Sequence, residues 1–444
     1  MSPPTATVAT SQHDPPSTGV DIPIKRDITC PHCWDCFVTG DIRWIARHPE
    51  LLGDAMLGPE AMRRFLPTRF DIDGNAIDAG GEVCRDLACP SCHLPISRGL
   101  LEANQYYFSL IGVPGSGKSH FTAAMTWRLR SLMPEAFGLT FTDLDVVANQ
   151  VLLNNEQLLF LDQGDADRLV SIEKTQMQGS NYDPVHRGGQ TVQLPRPFQF
   201  HLAPRPGTPR GPSEAATTRV INLYDNAGEH FLPGGDTTLN PGTQHLARAN
   251  ALMFLFDPLR DARFRAAIEP QCDDPQIKLD REAGAVRQDT VLNEACSRLR
   301  RYANLSPTAQ LDQPLIVLMG KADAWINLID GVELDEEPIL PPGPDNTESS
   351  RLDIERIEDT SQRLRSWVEA IAPEFVALAE GLHKRVVFMP VSALGGAPIR
   401  DESNGLLLVR PGKLKPRWVS APLLYALKKW SSTEFGAVSR PQDA

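Results

Sequence analysis

The residues with the clearest chemistry are Gly112-Val113-Pro114-Gly115-Ser116-Gly117-Lys118-Ser119. A glycine, four free positions and then Gly-Lys-Ser match the template of a phosphate-binding loop. The amides of such a loop point at phosphate oxygens, and the positive end of the next helix lies behind them. Gly112, Gly115, Ser116 and Gly117 would cradle the phosphates, and Lys118 would reach the outer ones. The Ser119 hydroxyl is suited to one Mg²⁺ position, and His120 joins the binding set at the start of the helix.

A second set has the spacing of a metal site. Cys30-Pro31-His32-Cys33 and Cys89-Pro90-Ser91-Cys92 are two Cys-Pro-x-Cys knuckles. Each offers two thiolates from one tight turn, and two knuckles complete the tetrahedron that Zn²⁺ takes. The expected ligands are Cys30, Cys33, Cys89 and Cys92. Cys36 and Cys84 are spare, and either could replace a member of the set. His32 and His93 read as bystanders. The stretch between the knuckles has mixed charge, which suits a brace or a protein-docking module better than a nucleic-acid reader.

Three further motifs end apolar runs. Arg219–Tyr224 leads into Asp225-Asn226-Ala227-Gly228-Glu229-His230. In Asp-x-x-Gly the carboxylate holds Mg²⁺ through water and the glycine amide meets the terminal phosphate. Pro314–Met319 leads into Gly320-Lys321-Ala322-Asp323. The Asp323 carboxylate can accept from the ring N–H and the exocyclic amine of guanine, a pair adenine lacks. The Lys321 stem would lie over the base. Arg385–Val391 leads into Ser392-Ala393-Leu394, a turn whose amides would give guanine a second contact.

The elements that must position these residues alternate. Tyr106–Ile111 reads as a buried strand and Phe121–Leu129 as a helix. Gly138–Asp145 reads as a strand, Val146–Leu161 as a helix that Val170–Met177 continues, and Gly179–Gly189 as a loop. Thr191–Leu202 is a strand broken by Pro195 and Pro197. Ala251–Phe256 is another strand. Arg260–Ala267, Asp289–Tyr302, Ile354–Leu382 and Ala421–Trp430 read as helices, and Gly331–Ser350 as a mobile acidic loop. Between the knuckles, Phe37–Leu66 reads as one or two short helices and Phe70–Glu82 as a hairpin or loop. Strand–helix alternation gives an α/β fold, a mostly parallel sheet with the ligand at the strands' C-terminal edge.

The chain has 444 residues, 41 % of them hydrophobic, and a net charge of −12. That charge argues against broad nucleic-acid binding, which needs a basic face. No apolar run approaches the ~18 residues of a membrane-spanning helix. The cytoplasm is the expected compartment, where cysteines are thiols or metal ligands. The expected organisation is a disordered tail (1–25), a zinc-binding module (26–100), a nucleotide-binding domain (101–432) with insertions near 146–190, 260–305 and 330–352, and a tail (433–444).

In their order, Gly112 to Ser119, Asp225 to Gly228, Gly320 to Asp323 and Ser392 to Leu394 resemble the translation-factor-related class of P-loop GTPases, which includes Ras-like proteins. Zinc knuckles directly ahead of the phosphate loop look like those of the bacterial double-GTPase proteins of signalling or conflict systems. The resemblance implies GTP/GDP and Mg²⁺ binding, a nucleotide-dependent switch, partner-assisted hydrolysis, effector or activating proteins, and a nucleotide-dependent dimer. It implies Mg²⁺ held by Ser119, Asp225 and a first-switch threonine. Thr191 fits that role best, with Thr175 and Thr208 as alternatives. Lys118, Glu229 and His230 carry the catalytic expectation, because Glu229 stands where Ras-like proteins carry a water-orienting glutamine. Arg187, Arg205 and Arg210 are the arginines that could act in cis. The competing reading is a GTP-binding scaffold without turnover that docks proteins through its zinc module.

Overall fold

The computed structural model describes residues 24–162, 167–172, 182–205, 218–225, 228–231, 243–279, 287–342, 350–403 and 405–430. Both expected tails lie outside these residues, apart from 24–25.

One seven-stranded sheet organises the chain. Its strands are β1 (Asn104–Ile111), β2 (Leu139–Asp143), β3 (Phe198–Pro204), β4 (Arg219–Asp225), β5 (Ala251–Phe256), β6 (Leu315–Met319) and β7 (Val386–Pro390). The spatial order is β2-β3-β4-β1-β5-β6-β7. The pairs β4–β1, β1–β5, β5–β6 and β6–β7 are parallel. β3 runs antiparallel to both of its neighbours. The central parallel strands β5 and β6 are wholly apolar, as strands covered on both faces tend to be; every residue of both is buried. Connections leave β1 towards β4 and return across it to β5, so the order reverses at the C-terminal end of β1. In such sheets that point is the ligand crevice, and the phosphate-loop sequence follows it directly.

Helices cover the sheet. α1 (Lys118–Leu132) starts at Gly117, which takes the left-handed conformation, φ 96°. A π-turn over Met133–Phe137 ends at Gly138, φ 60°, and lets the chain turn straight into β2. α2 (Gln150–Glu156) packs beside α1, with Phe160 stacked on Trp127 at 5.6 Å. α3 (Gln288–Tyr302) and α4 (Ile354–Ile371) follow. Pro373 separates α4 from α5 (Pro373–Leu382), since it cannot donate to the preceding turn. α6 (Ala421–Trp430) closes the described fold.

Four local expectations need correction. Phe37–Leu66 is not helical: it forms short strands at Cys36–Val38, Arg43–Ile45, Leu52–Asp54, Gly58–Met62 and Arg64–Phe65. Its apolar residues pair across hairpins, a spacing easily confused with a helical one in so short a stretch. Gly179–Gly189 contains a strand, Tyr182–Arg187, paired with Gln190–Pro195 around Gly188-Gly189. Val170 bridges to Val409 instead of continuing a helix; residues 173–177 lie outside the described residues. The start of the acidic stretch is docked on the core, with Val332 and Leu334 buried. No helix among the described residues is long and apolar enough to cross a membrane.

Phe254 sits fully buried at the centre of β5, its ring 6.0 Å from Phe375. Phe254→Ala is expected to destabilise the fold by about 3–5 kcal/mol, measured as a lowered midpoint in denaturant unfolding.

Candidate functional site

The phosphate loop is shaped by its glycines. Gly115 and Gly117 have φ 75° and 96°, values that only glycine takes without strain. A Cβ on Gly112 would stand 2.8 Å from the Leu255 carbonyl oxygen. Lys118 is buried, and its ammonium donates to the carbonyls of Gly112 (2.9 Å) and Val113 (3.0 Å). The cation is therefore held at the mouth of the loop.

β4 delivers Asp225 to the same place. Its carboxylate lies by Lys118, Ser119 and Thr122, and burial pushes its pKa up to about 6 despite that lysine. Asp225 Oδ1 is buried and has no hydrogen-bond partner among the described residues, and neither has the buried Ser116 Oγ. A buried carboxylate oxygen beside a serine hydroxyl fits a magnesium ion, and an orphaned serine in a glycine cradle fits phosphate. Ser119 and Asp225 would hold the ion, which would neutralise charge on the phosphate oxygens. Gly228 packs against the loop itself: a Cβ there would meet the Pro114 nitrogen at 2.4 Å.

The guanine-type residues gather at the ends of β6 and β7. Asp323 Oδ1 accepts from the Ser392 hydroxyl, which also accepts from the Gly395 amide at 2.9 Å. Lys321, with φ 54°, donates to Asp257 and to Gln276 Oε1 at 2.8 Å. One cavity of about 610 Å³ joins the two halves, lined by Gly115, Ser116, Gly117, Lys118, Ser119, His120 and Gly228 on one side and Lys321, Asp323, Ala393 and Leu394 on the other. Gly112, Asp225 and Ser392 do not line it but each meets a residue that does: Gly112 accepts from Lys118, Ser392 donates to Asp323, and Asp225 lies by Lys118. Burial holds the His120 pKa down to about 4, with Lys321 adding to the effect, so its ring is neutral near pH 7.

Other expected residues lie elsewhere. Thr191 belongs to the 182–195 hairpin, where its hydroxyl meets His186 Nδ1 at 2.9 Å. That hairpin packs on the cysteine-rich region through Val185, Val192 and Leu194, so Thr191 does not line the cavity. Thr175, Thr208 and Arg210 lie outside the described residues, as do the side chains of Glu229 and His230. Arg187 pairs with Asp35 at 3.6 Å, and the neighbouring Cys33 raises its pKa against the cost of burial. Arg205 follows β3, its amide on the Gly138 carbonyl. Sequence reasoning missed Asp257, Arg260, Asp274 and Gln276. It also missed a short hairpin, Ile399–Arg400 with Leu407–Leu408, from which Leu407 and the flanking Pro398 and Leu406 line the cavity. A polar residue closing the apolar run of β5 was the available sign for Asp257; nothing local marks the hairpin.

The four expected cysteines converge. Their sulfurs lie within 4.8 Å of one another, all buried. Cys30 and Cys92 are 3.8 Å apart, and Cys33 and Cys89 are 3.7 Å apart. Zn–S bonds of about 2.3 Å in a tetrahedron put sulfurs about 3.8 Å apart, so this cluster could hold zinc. The two knuckles repeat one geometry. The amide two residues after each leading cysteine donates to its sulfur, His32 to Cys30 at 3.4 Å and Ser91 to Cys89 at 3.3 Å. Each turn closes on a left-handed residue, Trp34 with φ 61° and His93 with φ 62°. Cys36 is exposed, and Cys84 contacts Asp78 at 3.6 Å; neither joins the cluster. His32 and His93 face Pro95 O and Asp54 instead.

No family model matches the chain, and no curated protein matches it. Among solved structures it is similar to Sup35 complexed with GDP, at 12 % identity over 67 % of this chain and 40 % of that one, TM-score 0.23. It is similar also to Sup35 complexed with GMPPNP, at 13 % identity over 66 % and 38 %, TM-score 0.23. The chain thus spans about two fifths of either neighbour.

Purified protein is expected to carry one zinc ion per chain by elemental analysis. Cys89→Ser should lose it and lower the melting temperature, whereas Cys84→Ser should retain it.

Proposed function

We propose that this chain is a guanine-nucleotide-binding regulatory protein that hydrolyses GTP with Mg²⁺. The observation that carries the reading is the convergence of Lys321, Asp323 and Ala393 on the cavity that also receives Lys118, Ser119 and Gly228. A phosphate cradle alone fits any nucleotide. The carboxylate of Asp323 at the far end selects for a ring N–H and an amine side by side, which guanine presents.

In this reading the loop amides and Lys118 hold the β- and γ-phosphates, and Ser119 with Asp225 holds Mg²⁺. The Gly228 amide follows the terminal phosphate, and its close approach to the loop couples that phosphate to the strand behind it. Glu229 and His230 come next in the chain and would orient the attacking water. The cysteine cluster would hold Zn²⁺ as a structural brace. Effector or activating proteins that read the loaded state, a nucleotide-dependent dimer, and a role in a bacterial signalling or conflict system follow from the sequence resemblance.

The test is phosphate release with Mg²⁺, GTP against ATP. GTP-selective turnover is expected. Asp323→Asn should weaken GTP about tenfold or more and shift preference to xanthosine triphosphate, since one polar pair is lost and another gained. Unchanged GTP preference in that variant would remove the guanine assignment.

A further inference from the structure

Arg260 stands on a rigid perch beside the phosphate loop. β5 ends in Asp257, which is fully buried. Gln288 clamps its peptide group on both sides: the Asp257 amide donates to Gln288 Oε1 at 2.8 Å, and Gln288 Nε2 donates to the Asp257 carbonyl at 2.8 Å. The Asp257 carboxylate caps the next turn by accepting from the Leu259 amide at 3.1 Å, and it also pairs with Lys321. The turn Pro258–Arg260 is therefore fixed from three directions. At its end, Arg260 Nη1 donates to the Pro114 carbonyl of the phosphate loop.

The loop leaves room for this side chain. A Cβ on Gly115 would come within 2.7 Å of Arg260 Nη1. Arg260 lines the same cavity as Gly115, Ser116, Lys118 and Gly228. Of the arginines that the sequence offered, the two among the described residues are placed differently: Arg187 lies by the cysteine cluster, and Arg205 follows β3. A guanidinium has five N–H donors in a fork that matches phosphate oxygens.

Resting on the guanine-nucleotide reading above, we propose that Arg260 is a phosphate-binding residue, supplied in cis to the di- or triphosphate chain of the bound nucleotide. It approaches from the β5 side, while Lys118 approaches from within the loop. Because Asp257 holds both the Arg260 turn and Lys321, one carboxylate sets the positions of a base-side and a phosphate-side cation.

The test is a binding ladder by calorimetry: guanosine, GMP, GDP and GTP with Mg²⁺, on wild type, Arg260→Ala and Arg260→Lys. Arg260→Ala should bind GDP and GTP about tenfold or more weakly, the loss of a charge-assisted hydrogen bond. Its guanosine affinity should match wild type, and Arg260→Lys should recover part of the loss. Equal weakening along the whole ladder, guanosine included, would mean that the arginine only braces the loop, and no weakening would also overturn the proposal. The wild-type ladder tests the underlying reading separately. Should wild type bind adenine nucleotides instead, the guanine assignment fails while the same ladder in the adenosine series still decides Arg260. Wild type binding neither series overturns both.

Discussion

Backbone packed against backbone is the constraint on which the site depends. At Gly228 a Cβ would overlap the Pro114 nitrogen and stand 2.8 Å from the Gly112 carbonyl oxygen. At Gly112 it would be as close to the Leu255 carbonyl. The ends of β4 and β5 and the loop after β1 therefore meet without side chains between them. Such contacts have two consequences. No larger residue fits, so these two glycines are dictated by space alone. And a displacement of the loop must move the turn after β4, because a packed interior has no slack to absorb it. Lys118 completes the arrangement by bonding two loop carbonyls from inside.

β4 links this loop to the cysteine cluster. Successive side chains of a strand point to opposite faces, and the last two of β4 divide accordingly. Asp225 meets Ser119 and Thr122. Tyr224, one residue earlier, accepts from Trp34 Nε1 at 3.0 Å and donates to the Pro31 carbonyl, both within the first knuckle. Tyr224 also stacks on His245 at 4.3 Å, and Tyr107 of β1 donates to the Thr29 carbonyl at 3.1 Å. The knuckle is thus fastened to the two strands that carry the phosphate loop and Asp225. A metal that stiffens the knuckle would stiffen their outer face.

The sheet and most of the cavity were legible because their signals are local. Five parallel strands announce themselves as apolar runs, and Gly112–Ser119, Lys321, Asp323 and Ala393 directly follow three of them. The two Cys-Pro-x-Cys turns were legible for the same reason: spacing within each turn fixes its two sulfurs. Illegible were features set by distant partners. Phe37–Leu66 forms strands because Trp44 finds Leu87 and Phe65 across hairpins, a fact no window of residues contains. Thr191 follows Gly189 in a tight hairpin, so its position is decided by what Val185 and Val192 bury. Arg260 was invisible because its partner, Pro114, lies far back in the chain.

The placement of Arg187 shows what spacing alone leaves open. It stands in the long connection between α1 and β3, one of three arginines there that could have faced the phosphates. Yet its hairpin folds onto the cysteines, with the His186 amide on the Met56 carbonyl at 2.7 Å. Four thiolates around one divalent zinc would leave a net charge of about −2. A buried excess of that kind costs several kcal/mol unless a cation stands nearby. Arg187, placed against Cys33 and Asp35, would supply that cation to a zinc-loaded cluster. The same connection thus places a cation against the cysteine cluster, while the arginine that lines the cavity, Arg260, comes from the next crossover, after β5.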